Sequence, residues 1–159
     1  MAILKVKEGY GIAIPIEDGY VYCRVISYEP TVGGCHIIEV FNFFSKNKTE
    51  FPMALKTKRL FDPVFASFVF FAGKEKWEIV SKPKDFDKNE AGYKNIKIAF
   101  DKSTPPKLWQ RGKTKAVDIA ELNGIESSVV WVPIQLEKRI QVELHGGKFS
   151  FLMMKSKSP

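Results

Sequence analysis

Two cysteines and two histidines are all that this chain of 159 residues has of those types. So few cysteines cannot build the disulfide framework of a small secreted domain. The four residues are Cys23, Cys35, His36 and His145, with no tight ligand spacing, so no zinc site is expected. No apolar run approaches the ~18–20 residues that cross a bilayer, which argues against a membrane partner. The opening MAILKVKEGYG has no apolar stretch ending in a small-residue cleavage site, so no signal peptide is expected. Arginine is scarce too: Arg24, Arg59, Arg111 and Arg139 are only four of 25 basic residues. Lysine lacks the planar fork that reads base edges, so nucleic-acid readout is disfavoured. These absences lead to the expectation of a cytoplasmic protein with one domain over 1–150 and a flexible basic tail over 151–159.

What is present supports a packed core. Hydrophobic residues make up 45% of the chain, with 13 Phe, 5 Tyr and 3 Trp, which excludes a disordered chain. The net charge is +7, and it is unevenly spread. Residues 1–45 carry a net −2, residues 46–115 a net +9, residues 116–147 a net −3 and residues 148–159 a net +3. Positive charge is therefore a property of the middle of the chain and its tail. A solvated lysine surface explains most such charge. The more specific reading is a basic face for an acidic protein partner.

Period-2 alternation dominates the first two thirds. GIAIPI (11–16), Asp18-Gly19 and YVYCRVISY (20–28) read as a hairpin. Val21, Cys23, Val25 and Ser27 share one face of the second strand, and Tyr20, Tyr22, Arg24 and Ile26 the other. Pro15 places the first strand at an end or an edge. CHIIEVFNFF (35–44), VFASFVFF (64–71) and KWEIVSK (76–82) read as further strands. Between them, 45–58 reads as a loop with one helical turn near 53–56. Residues 83–115 are irregular apart from YKNIKIAF (93–100), and a loop of that length is functional or mobile. DIAEL (118–122) resembles a short capped helix. IQLEKRIQVELH (134–145) spaces Leu136, Ile140 and Leu144 by four behind Pro133 and stops at Gly146-Gly147, the pattern of an amphipathic helix. KFSFLMM (148–154) reads as a last strand. The sum is α+β, mainly antiparallel β, in one domain. The first 80 residues suit a small SH3-like barrel with the C-terminal helix packed on it, although periodicity does not show closure.

No catalytic constellation stands out, and neither an enzyme nor a cofactor is expected. Cys35 and His36 are neighbours on a strand, so their side chains point to opposite faces. The glycines form no phosphate-binding loop. Glu126 is the one unusual carboxylate, set in an apolar segment as either a helix N-terminal group or a buried, paired residue. Trp109 stands in PPKLWQRGKTK (105–115) among Lys107, Arg111, Lys113 and Lys115. It reads as an anchor for its loop or, if exposed, as the centre of a partner-binding surface made with those four residues. A small nucleic-acid-binding barrel, with lysine loops and stacking aromatics, is the alternative function.

Five segments in order carry a resemblance. GYGIAIPIEDGYVYCRVI (9–26), IIEVFNFF (37–44), VFASFVFF (64–71), KWEIVSKP (76–83) and ELNGIESSVVWVPIQLEKRI (121–140) together resemble the immunity protein 26 family of bacterial polymorphic toxin systems. Gly9, Trp77, Gly124, Glu126 and Trp131 stand at family-motif positions. Tyr10 replaces the acid expected after Gly9, and Ile12 replaces a Phe. The resemblance implies a cytoplasmic protein that binds a cognate toxin and blocks it stoichiometrically, without catalysis. It implies structural roles for the motif residues, with Glu126 and Trp131 leading into the helix and anchoring it. Toxin contacts would lie in the variable loops, and the basic middle implies an acidic contact surface on the toxin. The sequence leaves the oligomeric state open.

Overall fold

Residues that are β-branched or aromatic at every second position fit a pleated, buried surface better than a helix. The two longest such runs form the centre of the molecule. The computed structural model describes residues 4–68 and 77–151. Strands β2 (Gly19–Glu29) and β3 (Cys35–Ser45) pair antiparallel, with irregularities between Val21 and Cys23 and between Val25 and Ser27. Strand β1 (Gly11–Ile16) forms a hairpin with β2, β4 (Val64–Ala66) pairs with β3, and β5 (Glu78–Ser81) returns beside β1. A second sheet of three antiparallel strands contains β6 (Ile98–Phe100), β7 (Lys107–Gln110) and β8 (Lys113–Ala116). The two-residue strand β9 (Val130–Trp131) lies parallel to β4 and completes the order β5-β1-β2-β3-β4-β9.

The fold is α+β with mostly antiparallel strands. The first five strands follow the order expected of an SH3-like meander, but the sheet is open because β4 pairs onward with β9. Pro15 lies beyond the β1–β5 pairing, which ends at Ala13. Its missing N–H therefore leaves no gap in the ladder.

Both faces of the central hairpin are buried. On one face Val21, Cys23, Val25, Ile38 and Val40 join Ile12, Ile14 and Ile16 beneath helix α2 (Pro133–Leu144). Leu136 and Ile140 of α2 are fully buried there, each stabilising by roughly 1.5–3 kcal/mol. The four-residue spacing that predicts this helix is what brings both to one side. The opposite face divides. Tyr22 and Phe41 pack under Phe51 and Ala54 of the short helix α1 (Phe51–Ala54). Ile26, Ile37 and Phe65 pack against Tyr93, Ile98 and Trp109 of the second sheet and its lead-in.

Three expectations need correction. The first hairpin turns at Glu17-Asp18, with Glu17 at φ +55°, and Gly19 is already in β2, where a Cβ would fall 2.4 Å from the Ser45 carbonyl oxygen and 2.5 Å from the Phe44 ring. Residues 148–151 form no strand, and the rest of the strand expected over 148–154 lies outside the described residues, as do 69–71 of the strand expected over 64–71 and all but Phe151 of the expected tail. Residues 107–115 of the stretch read as irregular belong to a β-hairpin that ends at Ala116, and the strand expected over 93–100 covers only Ile98–Phe100, behind a short 3-10 turn over Tyr93–Asn95.

Candidate partner-binding surface

The hairpin of β7 and β8 turns at Arg111-Gly112, with φ of +56° and +76°. Two successive positive φ values make a turn whose twist matches paired strands. Arginine is a rare first residue for it, so the usual Asn-Gly or Asp-Gly signal is missing. The turn is held from below: Gln110 Nε2 donates to the Lys94 carbonyl at 2.7 Å and Arg111 Nε donates to the same oxygen at 3.3 Å.

Trp109 roots the hairpin. It is 0% exposed and meets Phe65 and Tyr93 edge-on, at ring distances of 5.5 and 6.0 Å. The anchoring account therefore applies. Trp109 cannot touch a partner, because its ring fills the space between the two sheets. Its indole N–H has no hydrogen-bond partner among the described residues, which costs about 1–3 kcal/mol against the gain from burying the ring.

Strand alternation then sorts the four basic residues. Trp109 pairs with Thr114 and Lys107 with Ala116, whereas Leu108 pairs with Lys115 and Gln110 with Lys113. Paired residues share a face. Lys113 and Lys115 therefore stand together on the outer face with Leu108 and Gln110. Lys107 is half-buried and lies on the inner, Trp109 side. An open hollow of about 690 Å³ is lined by Leu108, Gln110, Arg111, Lys113, Thr114 and Lys115. Lys107 does not line it. Among the described residues, none of Lys107, Arg111, Lys113 and Lys115 is in an ion pair.

The motif residues are elsewhere, and Gly9, Trp77 and Trp131 are buried. Gly9, at φ +91°, lies so close to Phe86 that a Cβ would fall 2.5 Å from its side chain. Trp77 is buried on Phe68, and its Nε1 donates to Glu137 Oε1 at 2.8 Å. Gly124 is exposed at φ +76°. Glu126 is the paired carboxylate of the two alternatives, since α2 starts seven residues later. Arg139 donates to both its oxygens, at 2.7 and 3.0 Å, and also to Glu143. The guanidinium lies 3.9 Å from the Phe61 ring centre and 4.9 Å from that of Trp131, which is itself buried. Burial opposes the charge of Arg139, but its hydrogen bonds to Glu126 and Glu143 outweigh that and raise its pKa.

Two arginines bind a second buried carboxylate. Arg24 and Arg59 donate through Nε to the two oxygens of Glu39, at 2.8 and 3.0 Å. Arg59 also donates to the Ala91 carbonyl at 2.6 Å and so ties the large sheet to the segment that leads into the small one. Periodicity shows Glu39 as one acid within a hydrophobic strand but gives no sign of its partners, which lie 15 and 20 residues away in sequence.

The potential nucleophiles are subdued. Burial pushes the Cys35 thiol up to about 11 and raises that of Cys23 further. Burial also lowers the pKa of His36, which sits between the rings of Tyr28 and Phe68. No group of three or more metal-ligating side chains occurs among the described residues, and no helix among them is long and apolar enough to cross a membrane.

A family model described as Immunity protein 26 matches residues 7–104, more than half of the chain. The chain belongs to the immunity protein 26 family. The family's name gives an immunity role. The matched span begins just before β1 and ends just before the hairpin of β7 and β8. It includes Gly9 and Trp77, whereas Gly124, Glu126, Trp131 and the basic residues of the hairpin follow it. Neither the curated proteins nor the solved structures gave a match.

Proposed function

We propose that this protein is a cytoplasmic immunity protein that binds a cognate toxin and blocks it stoichiometrically, without catalysis. Membership of the immunity protein 26 family carries this reading. The contact surface we assign is the outer face of the small sheet: Arg111, Lys113 and Lys115 around the hollow they share with Leu108 and Gln110. Charges already paired inside a protein have little left to offer a partner, and among the described residues these three are in no ion pair. They suit an acidic surface on the toxin, which they would steer in from solution.

Co-expression tests the role. The toxic domain encoded beside this chain should kill the cell alone and spare it when this protein is present. Killing undiminished by this protein would refute the role. Reversal of Lys113 and Lys115 to Glu tests the surface: association at low salt should slow by roughly tenfold. Unchanged kinetics would remove the hairpin from the interface.

A further inference from the structure

We propose that β8 is a docking edge that takes up an extended, acidic segment of a protein partner as a fourth strand of the small sheet. This rests on the binding reading above and deepens it, since it assigns part of the contact to the backbone.

The parity of the hairpin comes first. The Val117 N–H donates to the Pro106 carbonyl at 3.0 Å, one step beyond the Lys107–Ala116 pair. Hydrogen-bonded and non-bonded pairs alternate along an antiparallel ladder. Gln110–Lys113 and Leu108–Lys115 are therefore the bonded pairs. Thr114 and Ala116 turn their N–H and carbonyl groups away from β7, toward the open side. No hydrogen bond from outside the sheet reaches the backbone of either residue among the described residues.

The edge is also uncovered. All four residues of β8 are exposed, unlike those of the other outer strands. The far side of the small sheet is closed: the Ala99 N–H donates to the Glu126 carbonyl at 2.8 Å, and the Ser128 N–H donates to that of Ala99 at 2.9 Å. Glu78 of the outer strand β5 is already bound to Lys48.

Charge selects the occupant. Residues opposite Lys113 and Lys115 on an added strand would be in non-bonded pairs, where side chains come closest, about 4.5 Å between α-carbons. Carboxylates at alternate positions of the added strand would meet both lysines. A second copy of this chain is disfavoured by the same geometry. Antiparallel pairing of β8 with itself sets Lys115 opposite Lys115, or Lys113 opposite Lys115. Edge lysines commonly block strand pairing; here they bar a like-charged edge and admit an acidic one.

The test uses the whole protein and two capped peptides, one alternating Thr and Glu, the other Thr and Lys. Amide hydrogen exchange is followed by two-dimensional NMR at low salt. The Thr–Glu peptide should slow exchange at Thr114 and Ala116 by about tenfold or more, and the Thr–Lys peptide should not. Ala116→Pro removes an outward N–H but no ladder bond, so it should abolish protection and leave the rest of the spectrum in place. Reversal of Lys113 and Lys115 to Glu should transfer the preference to the Thr–Lys peptide. Shift changes at the two lysines without amide protection would mean charge contact alone. That result overturns strand addition and leaves the acidic-partner reading standing. Undiminished protection in Ala116→Pro, a concentration-dependent dimer through β8, or no binding of either peptide would each overturn it as well. Loss of toxin rescue is a separate result, and it bears on the immunity role alone.

Discussion

In the large sheet Glu39 holds two arginines, and on the helix behind it Arg139 holds two glutamates. The hairpin of the small sheet instead presents Arg111, Lys113 and Lys115 to solvent, with no acid on any of them among the described residues. The two regions use charge for different ends. Buried charges survive only when paired and hydrogen-bonded, so those of the large sheet act as ties between segments distant in sequence. The hairpin needs no such ion pairs, because the Trp109 indole roots it in the core and Gln110 and Arg111 hold its turn on the Lys94 carbonyl. Its charges remain available to a partner.

The comparison breaks most directly at Trp109. Trp109→Ala should cost about 4 kcal/mol. Amide exchange should show the loss falling first on 98–116, with the β2–β3 ladder still protected. Uniform loss across both sheets would mean that they unfold as one unit. Arg139→Met should cost about 3 kcal/mol in urea unfolding, since it leaves Glu126 and Glu143 without their cation. Changing both glutamates to Gln in the same chain should restore part of that loss. No restoration would show that packing on Phe61 and Trp131, rather than charge, is the contribution of Arg139.

The smaller effects belong to the hairpin and its surroundings. Arg111→Asn should stabilise by up to about 1 kcal/mol, because asparagine accepts the left-handed backbone more easily; a lower unfolding midpoint would contradict this. The Lys113→Glu, Lys115→Glu double variant should change stability by no more than about 0.5 kcal/mol, while slowing association with the toxin. A large stability change would make these lysines structural after all. Last is His36, whose folded-state pKa burial holds below 6.5. The unfolded chain binds more protons between the two values, so stability falls as pH drops through that window and levels off below it. Unfolding midpoints from about pH 5 to pH 7.5 should show a shallower slope in His36→Phe than in the parent protein. An equal slope would remove His36 as a source of it.

The fold is legible in the sequence where local periodicity and burial agree. Alternation over 20–28 and 35–44 is the central hairpin, and the spacing of Leu136, Ile140 and Leu144 is α2. The small sheet was harder to see. Its strands are three or four residues long, too short for alternation to register, and its turn begins with arginine. The choice between anchor and contact for Trp109 depends on Phe65 and Tyr93, 44 and 16 residues away, which local pattern does not reach. The sequence could present Glu126 as unusual, but its partner Arg139 lies on an element that only folding brings near.

The hairpin's single buried root has a consequence for change over generations. If the proposed surface meets the toxin, a drift in the toxin's surface can be followed by exchanging Lys113 or Lys115, neither of which enters the core. Each exchange is nearly neutral for folding, so many combinations stay open at once. The specificity of the protein can then wander while the framework that displays it stands still.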